Sequence, residues 1–234
     1  MGGNIWSTET RRVTKQEALI TIEWLQYIVG IPLWNNMLGS TGLAETSGDI
    51  DLGVELRRAN KEMVRTKLEK WLVEDFAGAD FNPKNWLRNS GINLHFKSPI
   101  VSVKDLYTTF NGFVQVDFMF GDDLEWMKFA YRANIPEGSP YKGFHRHILM
   151  SSIIKAINPE WKWNQNIGIV RRAEPVDTII TTNPEGIAQL LLGPGAKVSD
   201  LDNVESIMKA LENDPIRDLK IKDFVDNIAK HPLK

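Results

Sequence analysis

Nine positions beyond Ser40 stands an aspartate, then one apolar residue, then a second aspartate: Asp49-Ile50-Asp51. Asp49-Ile50-Asp51-Leu52 alternates polar and apolar residues, the pattern of a short strand. Residues i and i+2 of a strand point to one face, roughly 6–7 Å apart along it. Two carboxylates held that way suit a divalent cation better than a core. Magnesium takes hard oxygen ligands, commonly one or two carboxylates together with substrate phosphates. Gly39-Ser40 closes an apolar run and supplies a tight turn with exposed backbone N–H groups and a hydroxyl, suited to phosphate oxygens. A third carboxylate, Asp117, lies inside the β-rich run Phe113-Val114-Gln115-Val116-Asp117-Phe118-Met119-Phe120. An aspartate there is costly to bury unless it is paired or bound to a cation.

Gly-Ser, then Asp-x-Asp between apolar flanks, then an aspartate on a later strand resembles the signature of the polymerase-β-like nucleotidyltransferase superfamily. The resemblance covers roughly residues 15–125. It implies an α+β fold: a nucleotidyltransferase palm, with a mixed or antiparallel sheet and flanking helices, followed by a mainly helical C-terminal part. It also implies that Asp49, Asp51 and Asp117 are catalytic and hold two ions of Mg2+ or Mn2+. Gly39 and Ser40 would bind the nucleotide, with a nucleoside triphosphate as substrate and pyrophosphate as leaving group. The implied activity is transfer of a nucleoside monophosphate to an acceptor hydroxyl. The first expectation for the acceptor is an RNA (or DNA) 3′ end, extended without a template. The alternative is a small-molecule or protein hydroxyl, as in antibiotic-modifying or antitoxin-like branches; a third is an inactive nucleotide-binding relative. The interval 41–48 is too short for much of a helix, so the nucleotide-facing helix of the family is expected to be short or replaced by a loop.

The elements that must position these residues can be drawn from pattern. Thr14-Lys15-Gln16-Glu17 is a capping box opening an amphipathic helix that ends near Gly30. Asn60 caps a second helix through Met63, Val64, Leu68, Leu72 and Val73. Residues 77–83 are a turn-rich break. Gly91 to Val103 reads as one or two strands interrupted at Ser98-Pro99, and Asn111-Gly112 as a hairpin turn before the strand of Asp117. Beyond it the chain reads mostly helical, over 123–133, 143–157, 184–192, 199–213 and 215–230, with a short strand at 177–182. The palm domain is expected over 1–125 and a mainly helical domain over 126–234.

The 234 residues carry a net charge of −2, with no global basic signature for nucleic acid. The distribution is less even. Arg57, Arg58, Lys61, Arg65 and Lys67 cluster just after the Asp-x-Asp strand, and between Tyr141 and Arg172 six basic residues face only Glu160. Such clusters would attract a triphosphate or a nucleic-acid backbone. Lys142, with Tyr141 beside it at a turn opening a helix, is a candidate for meeting phosphate while the ring stacks on a base. Arg57, Arg58 and Arg146 are candidates for acceptor or phosphate contacts. The two histidines of His145-Arg146-His147 do not share a helix face and are unsuited to chelating one ion. There are no cysteines, which excludes disulfides, thiolate zinc sites and a cysteine nucleophile. There is no apolar run of transmembrane length, and the opening residues lack the charged and apolar regions of a signal peptide, so a cytoplasmic protein with no membrane partner is expected.

Overall fold

The computed structural model describes residues 5–6, 8–76, 82–102, 109–131 and 134–228. Contacts divide the chain into Met1–Lys128 and Phe129–Lys234.

In the first unit Val13–Thr14 (β1) leads directly into Lys15–Val29 (α1). The capping box forms: Glu17 N–H donates to Thr14 Oγ1 (3.2 Å), and Thr14 N–H donates to the Glu17 carboxylate (2.9 Å). Gly30 stops the helix in the left-handed region at φ 63°. Thr46–Ser47 (β2) pairs with β1, in place of a longer helix between Ser40 and Asp49. Asp49–Glu55 (β3) follows, then Lys61–Trp71 (α2), whose Asn60 cap accepts from Met63 N–H at 2.9 Å. Leu87–Ser90 (β4), Asn93–Val101 (β5) and Phe110–Gly121 (β6) complete a mixed four-stranded sheet in the order β3-β6-β5-β4. The β3–β6 pair is parallel and the other two are antiparallel.

Alternation along the strands sorts the two faces of this sheet. Ile50, Leu52, Val54, Leu94, Phe96, Val116, Phe118 and Phe120 join a core with Ala18, Ile22, Leu25 and Val29 of α1 and Val64 and Leu68 of α2. The opposite face carries Asp49, Asp51, Gln115, Asp117, His95, Lys97 and Arg88, which are register neighbours across β3, β6, β5 and β4. One face builds the core; the other is free for chemistry.

Two expectations change here. β5 runs through Ser98-Pro99 as one strand, and its register against β6 shifts just after, between Pro99 and Val101. Lys97 N–H is the last to bond toward β4, reaching Trp86 O at 2.8 Å. Pro99, two residues on, turns its donorless nitrogen to the same side, beyond the point where the partner has ended, so no ladder bond is lost. Asn111-Gly112 is not a turn but part of β6, with Gly112 at φ 79°. The Asn111 carbonyl there accepts from Arg11 Nη2 at 2.9 Å. Residues 77–81, most of the turn-rich break, and Val103 lie outside the described residues.

Leu124–Tyr131 (α3) spans the change of unit. The second unit contains Gly143–Ile157 (α4), Trp161–Asn164 (β7), Gly168–Arg171 (β8), Thr178–Thr181 (β9), Pro184–Leu192 (α5), Val204–Ala210 (α6) and Arg217–Ile228 (α7). Leu149, Met150, Ile153 and Ile154 of α4 are buried, as are Ile187 and Leu191 of α5, Ile207 of α6 and Phe224 of α7. Ser152 ties α4 to α7, donating to Lys220 O (2.6 Å) and accepting from Phe224 N–H (3.2 Å). The antiparallel sheet β7-β8-β9 makes this part richer in strand than expected, because only β9 was anticipated. The single helix anticipated over 199–213 is a 3-10 turn followed by α6, restarted where Asn203 accepts from Ser206 N–H at 2.7 Å. Among the described residues no helix is long and apolar enough to cross a membrane.

Candidate metal centre

Parallel pairing sets Asp51 beside Asp117 and Asp49 beside Gln115. Asp49 and Asp51 share a face of β3, so the three carboxylates converge. Each offers an oxygen lying within 4.8 Å of the others, the one such group of three acidic or histidine side chains among the described residues.

The loop before β3 is fastened to it. Gly53 N–H donates to Asn36 O (2.7 Å), and Leu38 N–H donates to Asp51 O (2.9 Å). The Asn36 side chain ties the same loop to Gly53 O at 3.0 Å. Asp51 N–H donates to the buried Thr41 hydroxyl (2.9 Å). Asp51 is thus gripped at both backbone groups. Gly39, at φ 54°, passes so close that a Cβ there would stand 2.2 Å from Asp51 Oδ2. No other residue suits the position: the backbone is left-handed and the space is already taken by a carboxylate. Ser40 turns beside it, its hydroxyl 2.9 Å from that of Ser47.

Asp117 is held from the other side. His95 Nδ1 lies 2.7 Å from Asp117 Oδ1. The Gln115 amide donates to Oδ1 (2.8 Å) and Oδ2 (3.1 Å). The two side chains restrain the carboxylate from one side. Burial, then the charges of Asp49 and Asp117, push the Asp51 carboxyl well above the usual carboxylate range. Three hard oxygen donors that repel one another, one of them desolvated, are the donor set that a small divalent cation relieves. The residues present fit such an ion, and Asp49, Asp51 and Asp117 are the ones that could hold it.

Gly39, Ser40, Asp49, Asp51 and Asp117 are therefore brought together. Arg57 and Arg58 form a fork on the Glu55 carboxylate, at 2.7 and 2.9 Å. In the second unit Lys142 is exposed at the start of α4, and Tyr141 packs edge-on to His145 with ring centroids 5.9 Å apart. Arg146, read from sequence as a possible phosphate contact, is 2% exposed. Its guanidinium donates to the carbonyls of Phe129 (2.9 Å), Ala130 and Leu201 and lies over the Phe129 ring. Those donors are used inside the unit, which makes Arg146 a structural cation. Thr41, His95 and Gln115 escaped the sequence reading. The signal for the last two is alternation: each is a polar residue between two apolar ones on its strand, and Gln115 is at i−2 of Asp117.

No family model matches the chain, and no curated protein matches it either. Among solved structures it is similar to that of Leishmania infantum polymerase beta in a ternary P/T complex. The identity is 13% and the TM-score 0.45, with 83% of this chain and 78% of that chain covered.

Proposed function

We propose that this chain is a metal-dependent nucleotidyltransferase that moves a nucleoside monophosphate from a nucleoside triphosphate to an acceptor hydroxyl. The observation that carries the reading is the convergence of Asp49, Asp51 and Asp117 from two parallel strands, with the Gly39-Ser40 turn pressed against Asp51. The acceptor oxygen bonds to the α-phosphorus, the bond to the β-phosphate oxygen breaks, and pyrophosphate leaves. Asp117 takes the hydroxyl proton, its position kept by His95 and Gln115. Gly39 and Ser40 meet the terminal phosphates with backbone N–H groups and a hydroxyl. Mg2+ or Mn2+ at the carboxylates supplies charge neutralisation for the triphosphate and acidifies the acceptor hydroxyl.

The ion pairs bear on the acceptor. Of the cluster after β3, Arg57 and Arg58 bind Glu55, and Arg65 binds Glu69. Lys61 and Lys67 donate to the carbonyls of Gly91 and Val29. In the second unit Arg146 is internal, Lys155 pairs with Asp223 and Lys162 with Asp177. Part of the basic charge that would grip a polyanion is engaged locally. That favours a small-molecule or protein hydroxyl over the RNA 3′ end.

The test is an incubation with each labelled nucleoside triphosphate and Mg2+ or Mn2+, beside the double variant Asp49→Asn/Asp51→Asn. One arm receives short RNA and DNA oligomers; another receives a metabolite and protein extract. Label in the extract, absent from the variant, is the expected result. Ladders on an oligomer, weakened by orders of magnitude as salt rises, would establish the nucleic-acid acceptor instead. Label independent of the two aspartates would overturn the site.

A further inference from the structure

A segment remote in sequence reaches the carboxylates through Gln115. Ile5 N–H donates to Gln115 Oε1 at 3.0 Å, while Nε2 of the same side chain donates to both oxygens of Asp117. The two bonds fix the sense of the amide. Were it flipped, a carbonyl oxygen would face the carboxylate and an NH2 group would face an N–H. Nothing in Gln115 itself imposes that orientation, because the final torsion of a glutamine is broad. Ile5 imposes it.

The segment is well anchored for the task. Trp6 is 3% exposed and lies under the Arg88 guanidinium, 5.4 Å from its ring centroid. Glu9 pairs at 2.5 Å with Lys97, which is 6% exposed, and Lys97 is the direct register partner of Gln115. Arg88, Lys97 and Gln115 all belong to the polar face that carries the carboxylates, so the segment crosses that face beside them. A buried cation held by a segment on the chemical face of a sheet is costly unless paired, and Glu9 supplies the pair.

We infer that Ile5 and Gln115 are positioning residues: the segment around Ile5 sets the Gln115 amide, and the amide sets the angle at which Asp117 presents its oxygens to a divalent cation. The inference rests on the metal-centre reading above. Supporting contacts of this kind are commonly worth 10–100-fold in metal affinity.

The experiment titrates the full chain with Mn2+ alone and reads the free ion by electron paramagnetic resonance. Four variants are compared with the parent: Asp117→Asn, Gln115→Met, Ile5→Pro, and Gln115→Met combined with Ile5→Pro. Gln115→Met keeps the bulk and removes the amide; Ile5→Pro removes one N–H. Each single change is expected to weaken Mn2+ binding by about tenfold. The combination is expected to be no weaker than Gln115→Met alone, because both act through one amide. A role confined to folding would lower the melting temperature of each variant and leave affinity alone, or give additive losses; either result would overturn the inference. Wild-type affinity in Asp117→Asn would instead bring down the metal centre itself, so the two failures are distinguishable.

Discussion

The sheet of the first unit and helix α4 of the second both keep charge away from water, and they treat it in opposite ways. Around α4 the guanidinium of Arg146 and the ring of His147 are met from within the unit. Arg146 spends its donors on three backbone carbonyls, and His147 Nδ1 accepts from Trp163 Nε1 at 3.2 Å. Burial and the Arg146 charge hold His147 down to about 3, so it stays neutral. On the sheet, three carboxylates share one space, and His95 and Gln115 contact Asp117. Buried charge completed by its own chain is architecture. Buried charge left facing its like is a place prepared for something else.

Asp51→Asn tests the contrast most strongly. Without a cation, the substitution removes a desolvated acid and its repulsion with Asp49 and Asp117. The metal-free variant is therefore expected to melt higher than the parent at pH 8 by calorimetry. Transfer is expected to fall by more than about a hundredfold, beyond what loss of a supporting contact costs. A variant that melts lower and still transfers label would erase the distinction between the two regions.

Arg146→Met tests the other side. It leaves the carbonyls of Phe129, Ala130 and Leu201 without their donors inside the unit. The expected loss is about 3 kcal/mol, the range for breaking a buried charged contact from one side. Urea denaturation measures it. A loss under about 0.5 kcal/mol, the level of an ordinary surface change, would mean that Arg146 is not structural.

The two regions were also unequally readable from the chain. Asp49, Asp51 and Asp117 stand out because strand alternation is local, and an acid within an apolar run is conspicuous. Their convergence depends on the parallel β3–β6 register, a long-range choice that no local pattern encodes. Gln115 sat in plain view two residues before Asp117, yet its meaning depends on Ile5, 110 positions away. Asn111-Gly112 misled because it is a hairpin signal by composition; here its positive φ is spent inside a long strand. In α4 the clue to Arg146 was its spacing. It stands in line with Leu149, Met150 and Ile153 on the buried stripe, at i+3, i+4 and i+7. Its charge drew attention to phosphate when its position pointed to the core. The hairpin β7–β8 is faint in the sequence because each of its strands is only four residues long.

The smallest effect is the one that separates the two regions by sign. A carboxyl whose pKa is raised in the fold binds its proton more tightly folded than unfolded. Asp51 therefore gives stability at low pH that is lost as pH rises from the ordinary carboxylate range through its raised value. His147 is depressed from 6.5 to about 3, so the unfolded chain binds that proton first. Its contribution is intact above 6.5 and lost as pH falls toward 3. By pH 5 the histidine is expected to have cost roughly 2 kcal/mol. Thermal melts from pH 4 to pH 8 should show the acid side flattened by His147→Gln, and the neutral side flattened by Asp51→Asn. Mn2+ should act on the second alone, raising the melting temperature more at pH 8 than at pH 5, because the cation competes with the proton for the same carboxylates. An equal rise at both values would show that the ion binds without displacing protons, and the carboxylates of the sheet would then be as complete in themselves as the cluster around α4.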